Sequence, residues 1–284
     1  MHPTLSFALS LAVLGFAVKS SQAETLYYNF ESLSAGPQVA GTVVDNLAAG
    51  PDGTLQLPQG SFNIIEDEVF TTPLGGNTVS LGKVAQFVPN TDAEADGNNP
   101  NILTNGSVLS FGITGDSEYT AMAWVNFNSI TGDNMIFGQT AGDALHLGSR
   151  NGNYMSGHWG DDVGPDQGFL SSTGVGEWHH VAYTNDGPSG VQTIYVDGDQ
   201  LHTGAGGSFG GFNNNLAEFL RIGIARNNGS FNGMMDEVRV FDARLTEAQI
   251  EQYASGAIIP EPASALLGAV GVAGLLYRRR RPSR

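Results

Sequence analysis

Apolar and polar positions alternate in short runs along most of the chain, and turn residues separate these runs. The clearest runs are YTAMAWVNF at 119–127, EWHHVAYT at 177–184 and VQTIYVDGDQL at 191–201. Alternation with a period of two is typical of strands that bury one face. Asp197-Gly198 lies inside the third run, where glycine accepts the positive φ of a two-residue hairpin turn. The pattern predicts many short strands packed as a sandwich.

The closing part of this pattern, at 231–256, predicts one strand followed by one short helix. Thr246 and Gln249 have the spacing of a capping box, Leu245 and Ile250 that of a hydrophobic staple, and Gly256 that of a helix stop. Successive side chains of a regular strand point to opposite faces of the sheet. One face is predicted to carry Met235, Glu237, Arg239 and Phe241, and the other Asp236, Val238 and Val240.

An Asn-rich segment at 89–106 shows no period, so we predict a long surface loop there. The chain has no internal repeat and no linker long enough to divide it, which predicts one domain over 24–255.

The N-terminal end predicts export. An apolar run from Leu5 to Val18 precedes Ser21-Gln22-Ala23, the layout of a secretory signal peptide at 1–23 that is cleaved after Ala23. An uncleaved membrane anchor is the alternative.

The C-terminal end, at 256–284, combines three features in order. They are Pro-Glu-Pro at 260–262, an uncharged apolar stretch at 263–277 and an arginine-rich end at 278–284. As a helix the stretch would reach about 22 Å, short of a hydrocarbon core of about 30 Å. The whole segment resembles the PEP-CTERM sorting signal of Gram-negative bacteria. This resemblance implies transient insertion into the inner membrane, recognition by an exosortase, and delivery to the cell surface or extracellular matrix. An ordinary tail anchor is the alternative.

Charge narrows the choice of partners. Residues 24–259 contain 27 acidic and six basic side chains, a net charge of −21. Such a surface repels nucleic acid and anionic membranes and favours divalent cations or neutral partners. The chain has no cysteine, which excludes disulfides, thiolate metal sites and a cysteine nucleophile.

The run FNGMMDEVRVFDARLTEAQI at 231–250, together with EWHHVAYT and IYVDG, resembles the LamG-like jelly roll of the concanavalin A-like lectin and glucanase superfamily. The opening YYNFES at 27–32 and VVDNLAAGPDGTL at 43–55 is similar to the start of that family. The resemblance covers 25–253. It implies an all-β fold, a jelly-roll sandwich of two antiparallel sheets with six or seven strands each. One short C-terminal helix is expected before the membrane tail.

This superfamily contains lectins, adhesion modules and glycosidases, so the fold does not decide the function. Glycoside hydrolysis needs two opposed carboxylates, and laminarinase-type relatives supply them from Glu-x-Asp-x-x-Glu, which this chain lacks. The nearest run is IIEDEVF, where Glu66 and Glu68 are predicted to share a face; a solvated acidic edge also explains it. We therefore expect a non-catalytic binding or adhesion module for carbohydrate or extracellular matrix. The alternatives are a polysaccharide-active enzyme, hydrolase or lyase, and a matrix filler.

The candidate ligand site is the polar segment NYMSGHWGDD at 153–162. An exposed Trp159 indole there would stack on a sugar ring, with hydrogen bonds from Arg150, Tyr154, His158 and Asp162. A Trp159 folded back over the sandwich is the alternative.

The histidines do not predict a zinc site. His179 and His180 are adjacent on a strand and point to opposite faces, and His146, His158 and His202 lack ligand spacing.

A structural calcium ion is implied by the family resemblance. LamG-like relatives often hold Ca²⁺ where the opening strand meets the closing strand, and the matching carboxylates are Glu31, Asp45 and Asp236. Oxygen ligands from distant parts of the chain suit this hard cation. The alternative is that Glu31 and Asp45 are surface acids and Asp236 is a hydrogen-bonded strand residue.

Overall fold

The alternating runs form two antiparallel sheets packed face to face. The computed structural model describes residues 22–90, 99–113, 117–139, 145–158, 163–164, 174–187, 189–205, 218–225 and 229–256, without the side chains of 67, 158 and 205. Within these ranges the fold is an all-β jelly-roll sandwich with one short helix, as predicted. Its sheets have nine and seven strands rather than the expected six or seven each.

The nine-stranded sheet has the order β14-β13-β12-β8-β18-β6-β5-β2, with β1 also paired to β18. Its strands are β1 (Glu24–Tyr28), β2 (Gly36–Pro37), β5 (Ser61–Thr71), β6 (Thr78–Val88), β8 (Glu118–Phe127), β12 (Trp178–Asp186), β13 (Val191–Val196), β14 (Asp199–Ala205) and β18 (Gly233–Phe241).

The seven-stranded sheet has the order β11-β10-β9-β15-β7-β4-β3. Its strands are β3 (Val43–Val44), β4 (Gly53–Gln56), β7 (Asn101–Ser107), β9 (Asp133–Gly138), β10 (Leu145–Arg150), β11 (Asn153–His158) and β15 (Phe219–Ile222). A small ribbon of β16 (Ile224–Ala225) and β17 (Gly229–Ser230) lies against β9.

The main core fills the space between the two sheets. It contains Phe62, Phe87, Phe127 and Phe231, whose rings contact one another edge-on or tilted. Aromatic side chains bury the largest apolar areas, so this chain of rings stabilises the packing of one sheet on the other.

The outer face of the nine-stranded sheet is also covered. Residues 66–81, the distal halves of β5 and β6 and their connection, form a segment that we call the arm. Register shifts at Glu68 and a positive φ of 68° at Gly82 bend the arm out of the sheet. Its Phe70 stacks on Trp178 and meets Trp124 edge-on. The two tryptophans are therefore buried packing residues, and they lie outside the main core.

Helix α1 (Glu247–Ala254) covers the neighbouring part of the same outer face. The predicted capping box is present: the Gln249 N–H donates to the Thr246 hydroxyl, and the Thr246 N–H donates to Gln249 Oε1 at 3.0 Å. Leu245 and Ile250 are buried together, and Gly256 has a φ of 75° just after the helix. The helix prediction is confirmed.

The Asp197-Gly198 hairpin is also confirmed. These residues connect β13 to β14 with φ values of 53° and 92°, the left-handed region that this turn requires.

The predicted faces of β18 are partly wrong. Glu237 has a φ of 51°, and the pairing with β8 shifts by one residue between Asp236 and Arg239. This bulge breaks the alternation, so Met235, Val238 and Val240 all reach the main core. Asp236 and Arg239 consequently share the outer face.

The predicted loop at 89–106 is wrong for its second half. Asn101–Ser107 is strand β7, inside the seven-stranded sheet between β15 and β4. Ile102 and Thr104 face inward and are buried. Inward-facing and outward-facing side chains therefore alternate along β7, although about half of its residues are polar. Residues 91–98 lie outside the described part.

The described chain begins at Gln22, against its closing strand. The Ala23 N–H donates to Asp242 Oδ1 at 2.8 Å, and the Asp242 N–H donates to the Ala23 carbonyl at 3.1 Å. The signal peptide before residue 22 and the C-terminal signal after 256 lie outside the described residues. In the described part no helix is long and apolar enough to cross a membrane.

Candidate functional site

Asp236 is the most unusual acid of the fold. Its side chain is 0 % exposed, and neither carboxylate oxygen has a hydrogen-bond partner in the described structure. Burial raises its pKa well above the usual range, and the carboxylates of Glu237 and Glu31 add to this effect. The Glu237 N–H, which lies near the Asp236 carboxylate without forming a hydrogen bond of good geometry, and the Arg239 guanidinium lower the pKa in part. A buried acid without a partner is costly, so its retention calls for an explanation.

Glu31 lies where β1 leaves the sheet, directly after Phe30 with its φ of 57°. Glu31 Oε1 accepts a hydrogen bond from the Lys83 N–H at 2.9 Å. The Lys83 ammonium donates to the carbonyls of Glu31 and Leu33 at 3.0 and 2.7 Å. The structure therefore holds Glu31 between β1 and β6, close enough to Asp236 for the two charges to interact.

Asp45, the third predicted calcium ligand, follows β3 and is exposed. Its neighbour Asn46 attaches this segment to β1, because Asn46 Oδ1 accepts from the Tyr27 N–H at 2.9 Å and its amide donates to the Thr25 carbonyl at 3.1 Å. No contact of the described residues joins Asp45 to Glu31 or Asp236. Within the described ranges, no group of three or more His, Asp or Glu side chains is arranged to hold a metal.

The predicted sugar site is described only in part. Trp159 and Asp162 lie outside the described residues, and so does the side chain of His158. Arg150 forms a paired contact with Asp133, Nε to Oδ1 at 2.7 Å and Nη2 to Oδ2 at 3.0 Å. Tyr154 is 1 % exposed, packs in the main core beside Phe127 and presents no surface to a ligand in this structure. Both residues thus fix strands β10 and β11, which lead into the segment that carries Trp159.

Glu66 and Glu68 have different surroundings in this structure. Two register shifts separate Ile65, Glu68 and Val69, so the simple alternation that would align the two carboxylates is lost. Glu68 Oε2 accepts a hydrogen bond from the Trp178 indole at 3.3 Å, whereas Glu66 is exposed. Glu68 holds the arm on the sheet.

His179 and His180 point to opposite faces, as predicted. His179 Nδ1 lies 2.7 Å from Asp197 Oδ2, and hydrogen bonding to Asp197 raises its pKa although burial opposes the shift. His180 lies against Trp124 beneath the arm, and burial lowers its pKa to about 3. Sequence reasoning missed the link between His179 and the hairpin turn. The sequence contains a signal for this link, because Asp197 lies in the turn after β13, and β13 directly follows the strand that carries His179.

The geometry matches a known family. The model of the concanavalin A-like lectin/glucanases superfamily, in its Laminin_G_3 form, matches residues 96–251. The chain belongs to this superfamily. The match includes the closing strand, the start of the capped helix and the histidine-bearing strand, which are among the segments that carried the resemblance in the sequence.

Several solved structures have a fold similar to that of this chain, at low sequence identity. Domain 4 of the extracellular arabinanase AbnA from Geobacillus stearothermophilus, solved with arabinotriose, is 17% identical with a TM-score of 0.56, covering 83% of this chain and 100% of that one. The binding domain of botulinum neurotoxin DC, solved with rat synaptotagmin II, is 11% identical with a TM-score of 0.53 and coverages of 84% and 52%. The receptor binding domain of a botulinum neurotoxin C/D mosaic serotype is 14% identical with a TM-score of 0.50 and coverages of 82% and 51%.

The chain spans about half the length of these neurotoxin domains. At such identities the likeness shows the fold alone. A search of curated proteins finds no significant relative.

Proposed function

We propose that this member of the concanavalin A-like lectin/glucanase superfamily is a non-catalytic module that binds extracellular carbohydrate at the cell surface or in the matrix. One observation carries the proposal: five carboxylates of the two sheets serve structural contacts. These contacts are Glu68 with Trp178, Asp133 with Arg150, Asp197 with His179, and Glu24 and Glu237 with Arg239. Hydrolysis instead requires two carboxylates that face a shared substrate.

The solved neighbours support a binding role. One is a domain in complex with arabinotriose, and others are receptor binding domains. In our proposal, Trp159 supplies a stacking surface for a sugar ring, with His158 and Asp162 beside it. Arg150 and Tyr154 do not contact the sugar in this proposal. The ion pair of Arg150 with Asp133 and the core packing of Tyr154 hold the strands that lead into this segment.

The test is a panel of polysaccharides and oligosaccharides assayed for both binding and cleavage by the exported protein. We expect binding without turnover, and we expect Trp159→Ala to lose about 1 to 2 kcal/mol of glycan affinity with an unchanged melting midpoint. Reducing-end or unsaturated products would show the alternative, a hydrolase or lyase. Neither binding nor turnover would support the matrix-filler alternative and overturn the proposal.

We also propose a structural calcium ion at the junction of β1 and β18. The residues present fit such an ion in one respect: Asp236 has two buried carboxylate oxygens without partners, and Glu31 lies nearby. Asp236, Glu31 and, from the adjoining segment, Asp45 would hold it, with backbone carbonyls and water. A bound cation supplies the positive charge that compensates these acids.

The role of this ion is to attach the start of the domain to its last strand. Because the chain contains no cysteine, no disulfide does so. An ion that binds only the folded protein raises its stability by mass action. A thermal melt with calcium and then with excess chelator tests this directly. Identical midpoints, with no metal found by elemental analysis, would refute it.

Export completes the proposed function. A signal peptide at 1–23 and a PEP-CTERM segment at 256–284 would direct the chain through the inner membrane to an exosortase and then to the surface or matrix of a Gram-negative cell. The mature protein would then end near Pro260 to Pro262. Mass spectrometry of the exported protein tests this, since recovery of peptides from 278–284 as the main extracytoplasmic form would contradict processing.

A further inference from the structure

The arm, at residues 66–81, joins the nine-stranded sheet only at its base. The backbone pairing of β6 with β18 ends at Ala85, and the pairing of β5 with β2 ends at Ile64. Beyond these positions β5 and β6 pair with each other and with no other described strand. The arm is therefore a hairpin whose own backbone hydrogen bonds survive if it swings away from the sheet.

Side-chain contacts hold the arm against the outer face. Phe70 stacks on Trp178 with 5.6 Å between the ring centroids, and Glu68 Oε2 accepts a hydrogen bond from the Trp178 indole at 3.3 Å. Further along the hairpin, the Asn77 side-chain amide donates to the Ser255 carbonyl at 3.3 Å. A hairpin held by a few side chains can open locally at a lower free energy than the whole fold.

The base of the arm combines a bend with a fixed support. Gly82 has a φ of 68°, and Glu31 Oε1 fills the space where a Cβ of residue 82 would lie. The next residue, Lys83, donates its N–H to the same carboxylate oxygen at 2.9 Å. The arm can therefore pivot above Lys83 while the remainder of β6 stays in the sheet.

His180 lies beneath the arm and is 2 % exposed. Its ring meets the Trp124 ring edge-on at 5.3 Å, and Phe70 covers that tryptophan from above. Burial lowers the pKa of His180 to about 3, and the charge of Arg239 acts in the same direction. The charged groups that the surrounding elements contribute are Glu68 of the arm, Asp197 of the turn after β13, Asp236 and Arg239 of β18, and Glu251 of α1.

We propose that the arm is an acid-released cover: protonation of His180 lifts residues 66–81 from the outer face and exposes Trp124 and Trp178 while both sheets stay folded. This release is independent of the proposed carbohydrate binding. It gives the domain an aromatic surface in acid that it does not present at neutral pH.

The sign of the pH dependence follows from the two states of the arm. In the open state the imidazole of His180 meets water and its pKa returns to the ordinary value of 6.5. Below that value the open state binds more protons than the closed state, so acid favours opening. While the closed form dominates, the open population should rise about tenfold per pH unit.

His179 does not drive this release. Although burial opposes the shift, hydrogen bonding to Asp197 raises its pKa, so its protonation favours the folded state. Its effect in acid therefore has the opposite sign to that of His180.

The experiment measures how fast a water-soluble hydroxynitrobenzyl reagent modifies Trp124 and Trp178 in the exported protein between about pH 7.5 and pH 4.5. Peptide mass spectrometry separates the tryptophans, and free N-acetyltryptophanamide in the same buffer corrects for the reagent. From pH 6.5 to pH 4.5 the corrected rate should rise about 100-fold. Hydrogen-exchange protection of the β8 amides, which the arm does not pair with, should stay constant.

Two variants identify the titrating group. His180→Gln takes up no proton and should lose the pH dependence of labelling. Glu68→Gln is the matched control, because it removes the carboxylate of the arm that contacts Trp178, and it should keep this dependence. The inference fails if wild type shows no rise, if His180→Gln keeps the rise, or if Glu68→Gln loses it. It also fails if β8 loses its protection in parallel with labelling, since the whole domain then unfolds.

Phe70→Ala keeps the inference testable if His180→Gln does not fold. Loss of the ring stack weakens the contact of the arm, so both tryptophans should be labelled about three- to tenfold faster than in wild type at every pH. Val69→Ala truncates a neighbouring side chain that is 56 % exposed and should match wild type. Equal rates in Phe70→Ala and wild type would show that the arm does not control access to the tryptophans, which overturns the inference.

Discussion

The guanidinium carbon of Arg239 lies 3.6 Å from the centroid of the Tyr27 ring. The same guanidinium donates to Glu24 Oε1 at 2.6 Å and pairs with Glu237, and it faces the Tyr253 ring at 5.2 Å. One side chain thus connects β1, β18 and α1. The bulge at Glu237 makes this possible, because it turns Arg239 to the outer face.

Replacing Arg239 by glutamine should destabilise the fold by about 2 to 4 kcal/mol, because it leaves two partly buried carboxylates without their cation and removes the contact with Tyr27. Urea unfolding measures the change. Arg244→Gln, whose charge is only 3.9 Å from Asp186 and more exposed, is the matched control and should cost less than 1 kcal/mol. Equal losses in both variants would contradict this role.

His180 should make the fold sensitive to acid. Its pKa in the folded protein is about 3, since burial and then Arg239 disfavour the charged form, whereas the pKa of a histidine in the unfolded chain has its ordinary value of 6.5. Below that value the unfolded state binds the extra proton. The stability therefore falls as pH falls, by up to about 1.4 kcal/mol per pH unit between the two pKa values.

The measurement is the unfolding free energy of wild type and His180→Gln between about pH 7.5 and pH 5. The variant should lose less stability on acidification than wild type. A parallel pH dependence in wild type and His180→Gln would show that His180 takes up its proton while folded.

The capping box of α1 should contribute about 1 kcal/mol. Thr246→Ala removes the acceptor of the Gln249 N–H at the start of the helix, and this helix covers the cluster that contains Phe241 and Tyr195. Chemical unfolding measures the loss. Thr246→Ser keeps the acceptor and should restore most of the stability; if serine and alanine are equivalent, the cap does not contribute.

Asp236→Asn should raise the stability of the metal-free protein. The raised pKa of Asp236 means that the folded state retains a proton that the unfolded state loses above about pH 4, so wild-type stability falls as pH rises through that region. The asparagine variant has no such charge. Its advantage in chelator should therefore grow with pH, and calcium should stabilise wild type but not the variant.

Thermal melts at two pH values, with chelator and with calcium, test this prediction. Glu118→Gln, at the exposed start of β8, removes one negative charge without touching the junction and should resemble wild type. A variant that is less stable than wild type in chelator at every pH would show that the carboxylate makes a contact that asparagine cannot replace.

Local signals predicted the elements that depend on neighbouring residues. The Asp197-Gly198 turn and the helix after Thr246 are as predicted, because a positive φ and a side-chain cap are decided within a few positions. The sandwich and its superfamily were also predictable from the segments around 179 and 236.

The features that the sequence did not predict depend on contacts between residues that are distant along the chain. The bulge at Glu237 has no local signature, because it arises where β6 and β1 share one side of β18. Strand β7 was missed since polar side chains of this strand are paired inside the fold: Asn101 donates to the Asn99 carbonyl, and Thr104 to the Leu220 carbonyl. The burial of Tyr154 and the pairing of Arg150 were hidden for the same reason.

The position of β18 has a consequence for the order in which the protein forms. This strand, at 233–241, lies between β8 on one side and β6 and β1 on the other, so the centre of the larger sheet is the last strand to be synthesised. A chain growing from its N-terminus holds those three strands without their common neighbour until nearly the end. Contacts of such large sequence separation form slowly, and unpaired edges are exposed meanwhile. The domain can therefore close only when the segment that leads into its C-terminal tail has emerged.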